Sequence, residues 1–202
     1  MSTTSEAVRW ETHPVTPDRF EDFADVVNPN RRATHCWCLS HRLRAPQIEE
    51  LGGGSRERAA RALGRPGVHG DHPPGVVTYA DGVPVGWCSL GPRADNPRLV
   101  ASRVIRPVDD VAVWTIICVV VRSGHRRRGV TTRSIEGAVA WAASEGAPAV
   151  EAHPVDAVSD RIDLTMAFVG TVTMFERAGF RVVGTTEATG SGRPRVVVRR
   201  DC

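Results

Sequence analysis

Apolar and polar positions along the chain change period several times, and each change marks an element. Ala7–His13 reads as a short first strand that Pro14 interrupts. Thr16-Pro17-Asp18 then reads as a helix start, with Pro17 near the first turn and Phe20, Phe23, Ala24 and Val27 repeating on one helical face. Residues 28–74 are rich in Arg, Gly, Pro and His and are predicted to form an insert with two short helices, Trp37–Arg44 and Ser55–Leu63, separated by Gly52-Gly53-Gly54. From Gly75 the pattern sharpens. Val76–Ala80, the dipeptide Asp81-Gly82 and Val83–Leu90 form a strong hairpin signal, because Asp-Gly supplies the positive φ values of a tight turn. Gly91–Asp110 reads as a long loop with a short helix near Ser102–Ile105. Val113–Val121 is almost continuously apolar and β-branched, the pattern of a central strand buried on both faces. After a basic loop, Val130, Ile135, Ala138, Val139 and Ala142 mark a helical face that Gly146 and Pro148 end. Ala149–His153 is the next strand, Thr171–Ala178 a short helix, and Phe180–Thr185 with Arg195–Arg200 complete a mixed α/β sheet.

Composition narrows the class. A chain of 202 residues can bury one sizeable core, so residues 1–202 are expected to form a single domain. With 41% apolar and 24% charged residues, a wholly disordered chain is excluded. No run of about 18 apolar residues is present to span a bilayer, so no membrane association is expected. The start MSTTSEAVRW has no apolar segment behind a basic one, and five cysteines are an odd number, so reduced thiols in a cytoplasmic protein are expected. A formal charge of +3 is too small to argue for a nucleic-acid partner. Every basic residue is arginine. Any phosphate must therefore be held by guanidinium or backbone N–H groups, and a lysine Schiff base is excluded.

The most informative stretch is Val119-Val120-Val121-Arg122-Ser123-Gly124-His125-Arg126-Arg127-Arg128-Gly129-Val130-Thr131. A buried strand ends, a short loop follows and a helix starts near Gly129. The first N–H groups of that helix lack internal partners and its dipole favours an anion, so the site suits a phosphate or pyrophosphate. Gly124 and Gly129 superficially match the spacing of G-x-x-x-x-G-K-[ST], but Val130 stands where the lysine must be. No G-x-G-x-x-G follows a strand, which disfavours a dinucleotide fold. Arg126–Thr131 fits [QR]-x-x-G-x-[GA] instead, with Thr131 in place of the small last residue. Met174-Phe175-Glu176-Arg177-Ala178-Gly179-Phe180 fits L-Y-E-x-x-G-F. In order and in this strand–loop–helix context, the two motifs resemble the GNAT superfamily of acyl-CoA N-acyltransferases, from Gly75 to Arg200 and only weakly before.

That resemblance implies an α/β (α+β type) fold: a mixed, mostly antiparallel twisted sheet of six to seven strands flanked by helices, with a helical insert before the second strand. It implies acetyl-CoA as co-substrate. Val119, Val120 and Val121 would lie along the pantetheine arm, and the loop groups of Arg126, Arg127, Arg128, Gly129, Val130 and Thr131 would hold the pyrophosphate. An amine acceptor, small-molecule or peptide, would attack the thioester, which needs a base and an oxyanion donor. The phenol that often protonates the leaving thiolate is replaced by Phe175, and Tyr79 is the only tyrosine. Where some families carry a strand glutamate, this chain has Thr115. Glu151 and His153 alternate on the following strand, so both point to one face and are the candidate catalytic pair, with Asp156 beyond them.

His35-Cys36-Trp37-Cys38-Leu39-Ser40-His41 could supply soft metal ligands, but no second ligand pair accompanies it, and no metal is expected. It is expected instead to cover or underlie the acceptor site, with His35 and His41 able to lower a cysteine pKa. Acidic residues at Asp109, Asp110, Glu151, Asp156, Asp160 and Asp163 are compatible with a cationic amine, although a solvated loop is the default for each. The main expectation is N-acetyl transfer. The alternatives are a catalytically degenerate CoA-binding module and a nucleic-acid-binding protein using Arg126–Arg128. A homodimer is left open.

Overall fold

The computed structural model describes residues 7–65, 67, 70–156, 169–190 and 192–202. The chain opens with β1 (Trp10–Pro14), a 3-10 turn and α1 (Phe20–Val27). The insert carries α2 (Leu39–Arg42), α3 (Ala45–Gly52) and α4 (Arg56–Leu63). Then come β2 (Gly75–Ala80), β3 (Val83–Pro92), α5 (Pro97–Val100), β4 (Trp114–Val121), α6 (Val130–Ser144), β5 (Ala149–Ala152), α7 (Val172–Glu176), β6 (Arg181–Gly190) and β7 (Arg193–Asp201). Seven strands form one sheet in the order β1-β2-β3-β4-β5-β7-β6, antiparallel throughout except for the parallel pair β4 and β5. The mixed, mostly antiparallel sheet read from the sequence is present.

Two cores lie on opposite faces. Under α6 and α7, Val76, Leu90, Trp114, Ile116, Ile135, Val150, Phe175 and Val198 pack together. Under α1 and the insert, Phe20, Phe23, Trp37, Leu39, Val77 and Trp87 do the same. The alternation of β2 explains the split, since Val76 and Val77 face opposite ways.

One irregularity decides how the middle of the sheet is used. Ser89 faces Cys118 but Leu90 faces Ile116, so Ile117 is an extra residue, a β-bulge in β4. Before it, Trp114 and Ile116 point to the α6 core. After it the parity is reversed: Cys118 joins the insert core, and Val119 packs on the α6 side. Pairing of β4 with β5 stops at Ile116↔Ala152, just where the bulge begins. The chain after β5 stays with β7 instead, through Val155↔Arg195 and a bond from the Asp156 N–H to the Pro194 carbonyl. The two central strands therefore splay.

Four elements differ from the sequence pattern. The strand expected from Ala7 begins at Trp10. The helix expected at Trp37–Arg44 is only Leu39–Arg42, because Trp37 and Cys38 both have left-handed backbone (φ 52° and 55°). The Trp37 N–H donates to His35 Nδ1 at 3.1 Å, and the indole turns under to stack on Phe20. The residues Ala45–Gly52 form an unexpected helix, started by Pro46 in its first turn and closed by left-handed Gly53. The helix expected near Ser102–Ile105 sits one turn earlier, at α5, because Pro97 starts it. Ser102 instead makes a side-chain turn, its hydroxyl accepting from the Ile105 N–H.

Candidate active site

The loop after β4 is shaped by three left-handed residues, Gly124 (φ 85°), Arg127 (φ 60°) and Gly129 (φ 80°). Gly129 caps α6, and a Cβ there would meet no protein atom within 4 Å. Its backbone geometry favours glycine, and the space beside it lies open to a ligand. Among the described residues, the N–H groups of Gly129, Val130, Thr131 and Thr132 donate to no backbone carbonyl; the first helical bond from this end is Arg133 to Gly129. Four donors thus face a cleft of about 160 Å³ lined by Val121, Arg127, Gly129, Val130, Thr131, Thr132, Met174 and Arg177. Of the residues expected at a pyrophosphate, Arg127, Gly129, Val130 and Thr131 line this cleft, and Val121, expected along the pantetheine arm, lines it too. Arg126 and Arg128 are exposed beside it. Val119 and Val120 lie along β4 behind it, packed against opposite cores. Thr132, Met174 and Arg177 escaped the sequence reading, although the last two belong to the motif that ends in Phe180. These groups fit an anionic, phosphate-bearing ligand: oriented donors, a helix N-terminus and guanidinium side chains.

Beyond the bulge, no described residue pairs with the β5-facing edge of β4. The edge leads from the cleft to a second cavity of about 70 Å³ where the strands part, lined by His41, Leu99, Ile105, Ile116, Ile117, His153, Val169 and Arg195. His153 is 4% exposed, and its Nε2 is buried without a hydrogen-bond partner among the described residues. Burial, then the charges of Arg93 and Arg195, push its pKa down to about 3. Burial, then Arg98, Arg42 and Arg195, push His41 down to about 4. Both imidazoles are therefore neutral at pH 7. Arg195 is fixed at the wall by its Nη1, which donates to the His153 carbonyl at 2.8 Å.

Glu151 is placed differently from His153. Its carboxylate is 1% exposed and accepts from Arg199 Nε at 2.9 Å and Nη2 at 2.6 Å. Arg199 also grips Asp109 with two bonds of 2.7 and 2.8 Å, holding the Asp109 carboxyl below its usual range. Glu151 therefore ties β5 to β7 and to the loop before β4, opposite Thr115 in register. Asp109 and Glu151 share the one guanidinium of Arg199, and Asp109 stays partly exposed. Asp110 and Asp156 are exposed, and Asp160 and Asp163 lie outside the described residues.

The cysteine cluster is packing rather than chemistry. Trp37 and Cys38 are buried beneath α1, and hydrogen bonding between thiols raises both pKa values: Cys36 through Cys38, and Cys38 through Cys118. The lowering expected from His35 is outweighed at Cys36 by the Cys38 thiol and by burial, and His41 turns into the cavity. Among the described residues no group of three or more His, Cys, Asp or Glu is placed to hold a metal ion. No helix among them is long and apolar enough to cross a membrane. Phe175 is fully buried against Phe180, and the Tyr79 hydroxyl donates to Asp22 at 2.7 Å on the α1 side of the sheet.

Solved structures resemble this architecture along nearly its whole length. An aminoglycoside acetyltransferase AAC(6')-Ib in complex with coenzyme A matches with a TM-score of 0.54 at 14% identity, covering 96% of this chain and 95% of that one. A Corynebacterium glutamicum protein described as histone acetyltransferase HPA2 and related acetyltransferase gives 0.50 at 20% identity, over 95% and 96%. A GNAT-family acetyltransferase from Streptococcus agalactiae gives 0.51 at 11% identity, over 96% and 95%. These identities speak to the fold alone. No curated protein sequence matches the chain. The profile described as Acetyltransferase (GNAT) family matches residues 40–164, more than half of the sequence, and takes in most of the insert, the bulged strand, the loop before α6 and β5. With the splayed strands and the glycine-capped helix in the places such a fold requires, the chain belongs to the GNAT acetyltransferase family.

Proposed function

We propose that the protein transfers the acetyl group of acetyl-CoA to an amine within a ternary complex. The observation that carries this reading is the open edge of β4, set between a cleft whose N–H donors, and a cavity whose neutral His153 Nε2, have no partner among the described residues. Gly129 to Thr132 would hold the pyrophosphate with Arg127 and Arg177, and the edge of β4 from Ile117 to Val121 would pair with the amide groups of the pantetheine arm. Arg126, Arg128, Val119 and Val120 support that surface from beside and behind. Acetyl-CoA supplies the activated carbonyl. His153 Nε2 accepts the proton that the amine sheds, and its burial keeps bulk water from the reacting groups. Glu151, the other candidate, acts by holding β5 in place through Arg199. Solved neighbours in complex with kanamycin or ribostamycin lend support to an amine acceptor.

One observation favours a second reading, a CoA-binding module without turnover. Phe175 cannot donate a proton to the thiolate, and Tyr79 is engaged elsewhere. Calorimetric titration with acetyl-CoA, beside a Gly129→Glu variant that places a carboxylate at the anion site, tests the shared premise. Micromolar binding lost in the variant is expected; a folded parent that does not bind would sink both readings. Thiol release on adding amines then separates the transferase from the silent module.

A further inference from the structure

The core beneath the insert contains a buried cation. Arg42 on α2 is 3% exposed, and its Nη2 donates to the carbonyls of Pro74 and Leu90, at 2.8 and 2.7 Å. Burial pushes the guanidinium down to about 10, so it stays charged at pH 7. Asp95 offsets part of that charge through space, without a hydrogen bond to it. The Nε of Arg42 is buried and has no hydrogen-bond partner among the described residues. Two more donors share this condition. Trp37 and Trp87 are 2% and 1% exposed, and neither indole Nε1 has a partner among the described residues. All three residues line one cavity of about 10 Å³, room for one water-sized occupant. Every residue lining it belongs to the described part of the chain, and none is a carboxylate. Acceptors are scarce there. The Pro74 carbonyl already accepts from Arg42 and from the Ser89 hydroxyl, at 2.8 and 3.2 Å. The Cys38 sulfur is a weak acceptor shared with the Cys36 and Cys118 thiols; Trp87 favours its thiolate but makes no hydrogen bond to it. Among the lining side chains only the Ser89 oxygen remains. A water could accept from two of the three N–H groups and would still have two hydrogens to place. One anion accepts from all three and supplies the counter-charge that a buried guanidinium needs.

We propose that this cavity binds a monatomic anion, a halide such as chloride, through the N–H groups of Trp37, Arg42 and Trp87. Its size excludes phosphate, sulfate and carboxylates. The site lies in the core under α1, apart from the cleft at the start of α6, and it holds whether or not the protein transfers acetyl groups. The halide acts as a structural pin. Arg42 ends α2, a helix of only four residues, and its neighbour His41 lines the cavity where β4 and β5 part. An anion shared between Arg42 and Trp87 ties this turn to β3 and so fixes one wall of that cavity.

The test uses the full chain, with bromide as the probe. Crystals grown in sodium bromide should show anomalous scattering inside the cavity, within hydrogen-bond distance of Trp37 Nε1, Arg42 Nε and Trp87 Nε1. In solution, replacing gluconate by bromide or chloride at constant ionic strength should raise the urea midpoint along a saturating curve, because only the folded state holds the site. Bromide beside two indoles should also quench tryptophan fluorescence with the same half-saturation. Trp37→Phe and Trp87→Phe each keep an aromatic ring and remove one donor, so either should weaken bromide binding about tenfold. If a variant does not fold, the anomalous map of the parent decides alone. An ordered water in place of bromide would overturn the inference. So would stabilisation by halide that never saturates, as a general surface effect behaves, or an unchanged half-saturation in both variants.

Discussion

His153 illustrates how a single side chain is set by its surroundings. Pro154 follows it and β7 holds its carbonyl, so the ring is delivered to the point where β4 and β5 part. Replacing it with glutamine keeps the size and removes the base. His153→Gln is expected to lower kcat about 100-fold with acetyl-CoA affinity unchanged; an unaltered kcat in thiol release would remove His153 from the reaction. Glu151 should behave in the opposite way. Glu151→Gln leaves Arg199 with a weaker buried partner and should lower stability by about 3 kcal/mol in urea unfolding, while kcat in the folded fraction stays within threefold. The glycine at 129 was legible because a left-handed cap at a strand–loop–helix junction has few other residue choices. The placing of Arg195 was not, because it lies 42 residues from His153 in sequence and only the fold brings both to one cavity.

At the level of elements, the coupling between β3 and α6 sets the position of the α6 N-terminus. Gly86 lies under the first turns of α6, where a Cβ would overlap the Ser134 hydroxyl and come within 2.9 Å of Val130. Gly86→Ala should cost about 1–3 kcal/mol in urea unfolding. It should also weaken acetyl-CoA binding, because it pushes Val130 and the free N–H groups beside it; tight binding in a destabilised variant would separate the two effects. The sequence marked β4 and α6 through unbroken β-branched and 3.6-residue patterns. It did not mark the bulge, since Ile116-Ile117 reads as ordinary strand and the extra residue is visible only against β3. The helix Ala45–Gly52 was hidden for a related reason: Pro46 and the glycine run look like loop punctuation, and it is packing on α4 that makes them helix ends.

Across the whole molecule, two buried neutral histidines tie stability to pH. In the unfolded chain both titrate near 6.5, in the folded protein near 4 and 3. Between those values the unfolded state binds more protons, so stability is full above pH 6.5 and falls as pH drops below it. The slope approaches about 1.4 kcal/mol per pH unit for each histidine. Carboxylates held low by arginine, such as Glu21 and Asp109, lose their contribution only further down. Urea midpoints at pH 7.5 and 5.0 should therefore diverge, and His153→Gln should narrow the gap; an identical gap would show that His153 is not buried neutral. The order of strands and helices was legible from the sequence. The parting of β4 from β5 was not, because it arises from a competition in which β7 keeps the chain after Ala152. That parting has a consequence for the protein as a material. An uncapped strand edge invites a strand from any neighbouring chain, and here the invitation runs from Ile117 to Val121 unless a pantetheine arm fills it. A stock stripped of coenzyme should turn turbid on gentle warming sooner than one kept saturated, in which case the proposed co-substrate would double as a preservative.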